Sequence, residues 1–409
     1  MAKRTVTYLP ELEQNNIELS VRHLKQFFKF GHGKGAFVNK AVHNISFDIK
    51  KGECFGVVGE SGCGKTTTGR TLIRLYKATS GSVYFKGHRI IAGNRWNEKE
   101  IKWKRIKARR KIKELRNEMN EKIKVLNDEQ GDQTLIASET AKIRANYNEQ
   151  IGKIQAEVAE IVKEQKEKIA QHNFDNKHVD KKLMSKMQMI FQDPVDSLDP
   201  RMTVEDIIQE GLHIQGLHNR FENQQRVREV LTKVGLLPEY ASRFPHEFSG
   251  GQRQRVGIAR ALIMNPDFLI CDEPISALDV SIRAQIINLL NDLKEEMGLT
   301  IMFIAHDLSV VKYFCDRIAV MYFGNIVELA TSDELFAHPL HPYTRALLSA
   351  IPKPDPLSEK ERKRFVYVPA NEHDYSKEGP SLQEITPGHF VMANSEEMEK
   401  YRKIINEKK

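Results

Sequence analysis

The chain has 409 residues, 40% of them apolar and 29% charged, and a formal charge of +8. That length buries a sizeable core and divides into two or three units, and the mild basic bias is compatible with nucleic acid or an anionic membrane surface without requiring either. No run of 18 apolar residues spans a bilayer, the start MAKRTVTYLPELEQ lacks the apolar stretch of a secretory signal, and Cys54, Cys63, Cys271 and Cys315 form no C-x-x-C pair, which suits a reducing cytoplasm and argues against a disulfide frame or zinc site.

In chain order, the first element with chemistry is GECFGVVGESGCGKTTTGRTLIRLY, which reads as strand, glycine loop and helix. Phe55 to Val58 is an apolar run of strand length, and Gly59 to Thr66 fits G-x-x-x-x-G-K-[ST] at every position. Glycines there let consecutive backbone N–H groups curl round a polyphosphate. Lys65 reaches the β and γ phosphates, and Thr66 offers a hydroxyl to Mg²⁺. The candidate ATP-binding residues are therefore Gly59, Ser61, Gly62, Cys63, Gly64, Lys65, Thr66 and Thr67.

Trp96 to Lys182 has a different rhythm. Ile112, Leu115, Met119, Ile123 and Leu126 step by three and four, as do Ile143, Tyr147, Ile151, Ile154, Val158 and Ile161. Between the two runs lies the breaker cluster NDEQGDQT. This predicts an antiparallel helical hairpin with arms of about 30 residues, ~45 Å long at the helical rise. Eight of the twelve residues from Lys102 to Lys113 are Lys or Arg, so the first arm carries a strongly basic face.

Further on, Ser249-Gly250-Gly251-Gln252 in EFSGGQRQRVGIARAL opens a helix with Val256, Ile258 and Leu262 on one face. A hydroxyl, two glycines and a helix N-terminus make a second anion site. It is surplus within one nucleotide and makes sense if it completes the ATP bound by another subunit. In PDFLICDEP, the apolar strand Phe268 to Cys271 ends in Asp272, placed to hold Mg²⁺ directly or through water. Glu273 follows, aimed where a carboxylate orients and deprotonates the water attacking the γ phosphate.

With these motifs in this order, the chain resembles the ATP-binding subunits of ABC transporters, with Phe248 where Leu is that family's commonest choice. The resemblance implies a RecA-like α/β phosphate-loop core (17–95, 183–199 and 265–330) and a helical subdomain carrying the signature (200–264). Around these lie an N-terminal arm (1–16), the inserted hairpin (96–182) and a C-terminal extension (331–409). It also implies that Gln192 in MIFQDP senses Mg²⁺ and faces a membrane partner, and that His306 in TIMFIAHDLS contacts the γ phosphate. Asp279 in SALD would join Ser249, Gly250, Gly251 and Gln252 in touching ATP held by the partner chain. Phe28 in LKQFFKF, or its neighbour Phe27, would stack on adenine. The implied catalytic set is Glu273, His306 and Gln192; the implied Mg²⁺ set is Thr66, Gln192 and Asp272.

FQDPVDSLDPRMTVEDII, FPHEFSGGQRQRVGIARAL and HPLHPYTRALLSAIPKPDPLSEKERKR resemble the oligopeptide and dipeptide permease subfamily, and YSKEGPSLQEITPGHFVMANSEE is similar to the tail of the F-type subunit of Gram-positive oligopeptide permeases. This implies an ATPase on the cytoplasmic face of a membrane, pairing with a second, related ATPase, two permease subunits and an extracellular peptide-binding protein. Many relatives carry a cysteine cluster for an iron–sulfur centre in the tail; no cysteine follows Cys315 here, so no cluster is expected. Nickel permeases share much of the pattern and are the neighbouring alternative. SMC-like DNA-repair ATPases, which also carry coiled coils, are the alternative of a different class. Against nucleic acid, their coils follow the segment that corresponds to Gln192, whereas this insertion precedes it, and the insertion's net charge of +5 is modest for a DNA grip. The basic face is then solvated, or rests on lipid headgroups or a partner subunit.

Overall fold

A computed structural model describes residues 4–31, 35–128, 133–351 and 365–407. Residues 129–132 of the expected breaker and 352–364 of the His-Pro-Tyr stretch lie outside the described residues. The chain divides into two compact units, one of residues 7–91 and 179–407 and a smaller one of residues 4–6 and 92–178.

The strands are β1 (Ile17–Phe30), β2 (Phe37–Lys50), β3 (Cys54–Val58), β4 (Ser80–Phe85), β5 (His88–Asn94), β6 (Met187–Ile190), β7 (Phe268–Asp272), β8 (Thr300–Ala305), β9 (Arg317–Tyr322), β10 (Asn325–Thr331), β11 (Ser381–Thr386) and β12 (His389–Ala393). One sheet has the order β2-β1-β4-β5, and the other β11-β12-β10-β9-β3-β8-β7-β6. In the larger sheet β9, β3, β8, β7 and β6 run parallel, as βα crossovers require. Every residue of β3, β7 and β8 is buried, the mark of a parallel sheet covered on both faces. Alternation divides the faces. Phe268, Ile270, Met302 and Ile304 join the core shared with Leu19, Val21, Val83 and Phe85 of the smaller sheet. Leu269, Cys271, Ile301 and Phe303 join a core with the helices Val204–Ile214, Arg220–Lys233 and Gly250–Leu262, which make up the helical subdomain.

The tail does more than follow the core. β12 pairs with β10 and β11 with β12, so the C-terminal extension lengthens the larger sheet by two strands. A small core of Leu340, Val391, Ala393, Met398, Tyr401 and Ile405 covers the addition. Glu328 on β10 is fully buried and accepts from the backbone N–H groups of Leu340 (2.8 Å) and His341 (3.0 Å), with His389 Nε2 at 2.8 Å. His341 Nδ1 in turn accepts from Tyr343 N (3.1 Å) and caps the helix Pro342–Ser349, whose first position is the proline such a site tolerates.

The smaller unit is the hairpin. Its helices, Arg95–Asp128 and Gln133–Lys177, have 34 and 45 residues, so the second arm exceeds the predicted length. The unit also begins and ends slightly earlier than Trp96 and Lys182, and takes in residues 4–6, which the sequence assigned to a separate arm. Ile123, Tyr147 and Ile151 are buried along the seam, and Ile112, Leu115, Met119 and Val158 are half-buried, because two helices cover only one side of each other. A buried bond from Asn97 Nδ2 to Gln165 Oε1 (2.7 Å) pins the register across the seam. The Asn176 side chain takes both the N–H (3.0 Å) and the carbonyl (2.7 Å) of Ala92, tying the two ends of the unit together. No residue of the basic run Lys102–Lys113 forms an ion pair among the described residues, and most are exposed.

Two expected outcomes follow from these arrangements. Replacing residues 95–177 with a short Gly/Ser link leaves a soluble protein that still binds ATP, since the hairpin closes on itself and lengthening or shortening a surface connection costs little. A soluble, folded deletion without ATP binding would place the hairpin in the nucleotide site. The other outcome concerns pH. Burial, aided by repulsion from His373 and Arg345, holds the His341 imidazole down at about 3. The unfolded chain therefore takes up this proton first, and the contribution is present above pH ~6.5 and lost as pH falls, by about 2 kcal/mol at pH 5. His389 runs the other way: burial opposes its charge, but Glu328 and Glu334 outweigh burial and raise its pKa. Comparing His341→Asn with the parent isolates the first effect. Asn keeps an acceptor without titrating, so acid destabilisation between pH 7 and pH 5 shrinks; an unchanged slope in chemical denaturation contradicts this.

Candidate nucleotide site

The parallel strands deliver their carboxyl ends to one edge, where a doubly covered sheet binds ligands. β3 runs directly into the glycine loop, and two glycines there are obligatory. At Gly59 (φ +152°) a Cβ would lie 2.2 Å from the Met321 carbonyl oxygen, and at Gly64 (φ +109°) 2.2 Å from that of Ala41. Ser61 and Gly62 are exposed at the tip, Cys63 is buried, and Thr66 and Thr67 are half-buried at the start of the helix Lys65–Leu72. Lys65 is buried and donates from Nζ to the carbonyls of Gly59 (2.7 Å) and Glu60 (3.0 Å). A polyphosphate in the loop offers this ammonium stronger, charged acceptors.

Asp272, at the end of β7, accepts from Thr66 Oγ1 at 2.7 Å. Its other oxygen, Oδ2, is buried with no hydrogen-bond partner. Burial pushes the Asp272 carboxyl up, opposed by the Thr66 hydroxyl and the nearby Arg70 and Lys65 cations. An unsatisfied buried carboxylate oxygen beside a hydroxyl is costly unless something fills it. The pair fits a hard divalent cation such as Mg²⁺, which takes oxygen ligands.

Glu273 follows in a left-handed conformation (φ +46°), held by its N–H on the Ile304 carbonyl of β8 at 3.0 Å. A non-glycine residue there is strained, and such strain gathers at functional sites. Its Oε2 accepts from Gln192 Nε2 (3.3 Å) and lies 3.0 Å from His306 Nδ1, while Oε1 lies 3.8 Å from Lys65 Nζ. Gln192, His306 and Lys65 thus converge on one carboxylate.

The signature residues are elsewhere. Ser249 Oγ accepts from Gln252 N (3.3 Å), and Gln252 Oε1 accepts from Ser249 N (3.0 Å), a reciprocal cap on the helix Gly250–Leu262. A Cβ on Gly251 would come within 2.6 Å of Ile282 Cγ2, so the glycine lets this cap sit against the start of the helix Val280–Met297, whose N-cap is Asp279. None of Ser249, Gly250, Gly251, Gln252 and Asp279 bonds to Lys65, Thr66, Asp272, Glu273, Gln192 or His306 among the described residues. Phe248 is buried, edge-on to Tyr240 at 5.5 Å, which accounts for an aromatic where Leu is expected. Phe28 meets Tyr76 edge-on at 5.2 Å, and Phe27 stacks on His43 at 6.0 Å.

One contact had no signal in the sequence. Glu60 N in the loop donates to the Tyr343 hydroxyl at 3.0 Å, across 283 residues. The H-P-Y triplet marked a subfamily but nothing in its spacing pointed to the loop.

Residues 42–164 and 143–276 match the profile of the ABC transporter family, the two matches overlapping within the hairpin. Residues 327–379 match that of the oligopeptide/dipeptide transporter C-terminal region. The oligopeptide transport ATP-binding protein OppF of Bacillus subtilis is 45% identical over 384 residues, covering 94% of this chain and 98% of the relative. AmiF of Streptococcus pneumoniae, also an oligopeptide transport ATP-binding protein, is 43% identical over 378 residues (92% and 96%). The dipeptide transport ATP-binding protein DppF of Lactococcus lactis is 42% identical over 388 residues (94% and 96%).

Proposed function

The chain belongs to the ABC transporter family, and from that membership we propose that it is the ATP-hydrolysing subunit that powers oligopeptide import through a membrane permease. The observation that carries the reading is the convergence of Lys65, Gln192 and His306 on Glu273, next to the Thr66–Asp272 pair. The loop's backbone N–H groups bind the polyphosphate, and Lys65 exchanges the Gly59 and Glu60 carbonyls for its β and γ oxygens. Thr66, Asp272 and Gln192 are the residues that would hold Mg²⁺, which when bound would offset negative charge on the phosphates. Glu273 takes the proton of the attacking water, while Gln192 and His306 fix the orientation of its carboxylate.

Ser249 and the helix start behind it offer backbone donors to an anion, yet among the described residues they form no hydrogen bond to their own chain's phosphate loop. This supports a composite site in which Ser249, Gly250, Gly251, Gln252 and Asp279 complete the ATP held by a second, related ATPase subunit. Phe28, with Phe27 as its alternative, flanks the adenine. Two membrane permeases and an extracellular peptide-binding protein complete the assembly, with this chain peripheral at the cytoplasmic face; no helix among the described residues is long and apolar enough to cross a membrane. The relatives' names favour peptides over nickel. With Cys54, Cys63, Cys271 and Cys315 all buried and no cysteine beyond them, the tail has no thiolates to hold an iron–sulfur cluster.

In the assembled transporter, Glu273→Gln keeps ATP affinity but lowers turnover by roughly 10²-fold or more, the scale of a lost general base. Lys65→Ala weakens ATP binding instead. Steady-state hydrolysis with parallel nucleotide titration separates the two, and undiminished turnover in Glu273→Gln refutes the assignment of the base.

A further inference from the structure

The Gly59 carbonyl and the Glu60 N–H are the two ends of one peptide group. The carbonyl is held by Lys65 Nζ at 2.7 Å, and the N–H by the Tyr343 hydroxyl at 3.0 Å. From Gly59 to Cys63, Tyr343 and the loop's own Lys65 are the side chains that hydrogen-bond the loop backbone among the described residues. The Tyr343 phenol is firmly seated. Its ring is buried between Tyr322 (centroids 4.4 Å apart) and Tyr367 (5.6 Å), and its backbone N–H is fixed by His341, itself anchored on Glu328. Burial pushes its pKa well above the usual phenol value, so it stays neutral and accepts from an amide.

The two clamps on that peptide differ in what ATP does to them. On the reading above, Lys65 leaves the Gly59 carbonyl for the phosphates, and that end of the peptide is released. A peptide beside a glycine turns over easily, because no Cβ resists it. If this one turned over, its N–H would leave Tyr343 and the start of the loop would lose the shape seen here. The Tyr343 hydroxyl is the contact that remains to prevent this. We infer that Tyr343 is a positioning residue for nucleotide binding, holding the Gly59–Glu60 peptide, and with it the start of the loop, in place once Lys65 has turned to the phosphates. The C-terminal extension, by this route, is part of the machinery that binds ATP and not only an addition to the sheet.

The inference rests on the ATPase reading, and the test keeps the two apart. Tyr343→Phe in the full-length chain removes one oxygen and keeps the ring between Tyr322 and Tyr367. Mg-ATP titration of the purified protein gives a Kd about two- to tenfold weaker than the parent, the span of one net hydrogen bond. The melting temperature of the nucleotide-free protein falls by no more than about 2–4 °C, since the same bond is present there, and in the assembled transporter KM rises by a larger factor than kcat falls. Tyr343→Leu, which also loses the ring contacts, lowers the melting temperature further. A Tyr343→Phe protein with parental Kd overturns the inference. So does one whose melting temperature and kcat drop together without a rise in KM, since that describes a structural residue. If the parent chain itself fails to bind Mg-ATP, the ATPase reading falls first and this inference with it.

Discussion

The register of three parallel strands is the constraint on which the rest of the site depends. Val58 lies opposite Ala305, and Asp272 opposite Ile304, so β3, β7 and β8 end almost level. The phosphate loop, Glu273 and His306 each begin one residue beyond. A slip of one position in β7 would turn Asp272 to the other face of the sheet and part it from Thr66. What prevents the slip is burial on both sides: Leu269 and Cys271 in one core, Phe268 and Ile270 in the other. Exchanging the two sets would repack both cores at once, and each large apolar side chain there contributes about 1.5–3 kcal/mol by its burial.

The same strand ends explain why Glu273 tolerates a left-handed backbone. Its N–H is tied to Ile304, the last residue but one of β8, so the neighbouring strand holds the turn in place. The carboxylate then sits where Gln192, two residues beyond β6, and His306, directly after β8, both reach it. Three segments that are distant in sequence supply one polar cluster because their strands are neighbours in the sheet. The cluster is preorganised by the core and not by its own modest hydrogen bonds, which is the arrangement electrostatic catalysis favours.

The two additions to this core are built on opposite principles. The tail is integrated: it pairs with β10, buries Glu328 under its own residues, and reaches the phosphate loop through Tyr343. It also moves the sheet's edge from β10 to β11, whose residues are half-buried or exposed and include Gln383 and Glu384, a polar strand suited to solvent. The hairpin is self-contained. Its apolar seam faces itself, Asn97 and Gln165 satisfy each other inside it, and Asn176 closes its ends on Ala92. Among the described residues its basic run forms no ion pair, and most of it is exposed.

Features with a local physical cause were legible in the residues alone. Gly59, Gly62 and Gly64 with Lys65 and Thr66 announce a phosphate loop because only that pattern lets backbone donors curl under a ligand. Phe268 to Asp272 announces a buried strand ending in acid, and the three-four steps from Ile112 to Ile161 announce two paired helices. Each is a periodicity or a turn chemistry written within a few residues. The pairing of Glu273 with Gln192 and His306 could be placed only through family resemblance. Three features escaped any reading of the residues: β12 beside β10, residues 4–6 joining the hairpin, and Tyr343 on the Glu60 N–H. A strand's alternation says which face is buried but not which strand lies next to it, and a tyrosine's hydroxyl carries no mark of the amide it will meet. Those choices are made between segments hundreds of residues apart, by the competition of whole surfaces for burial, and only the tertiary structure decided them.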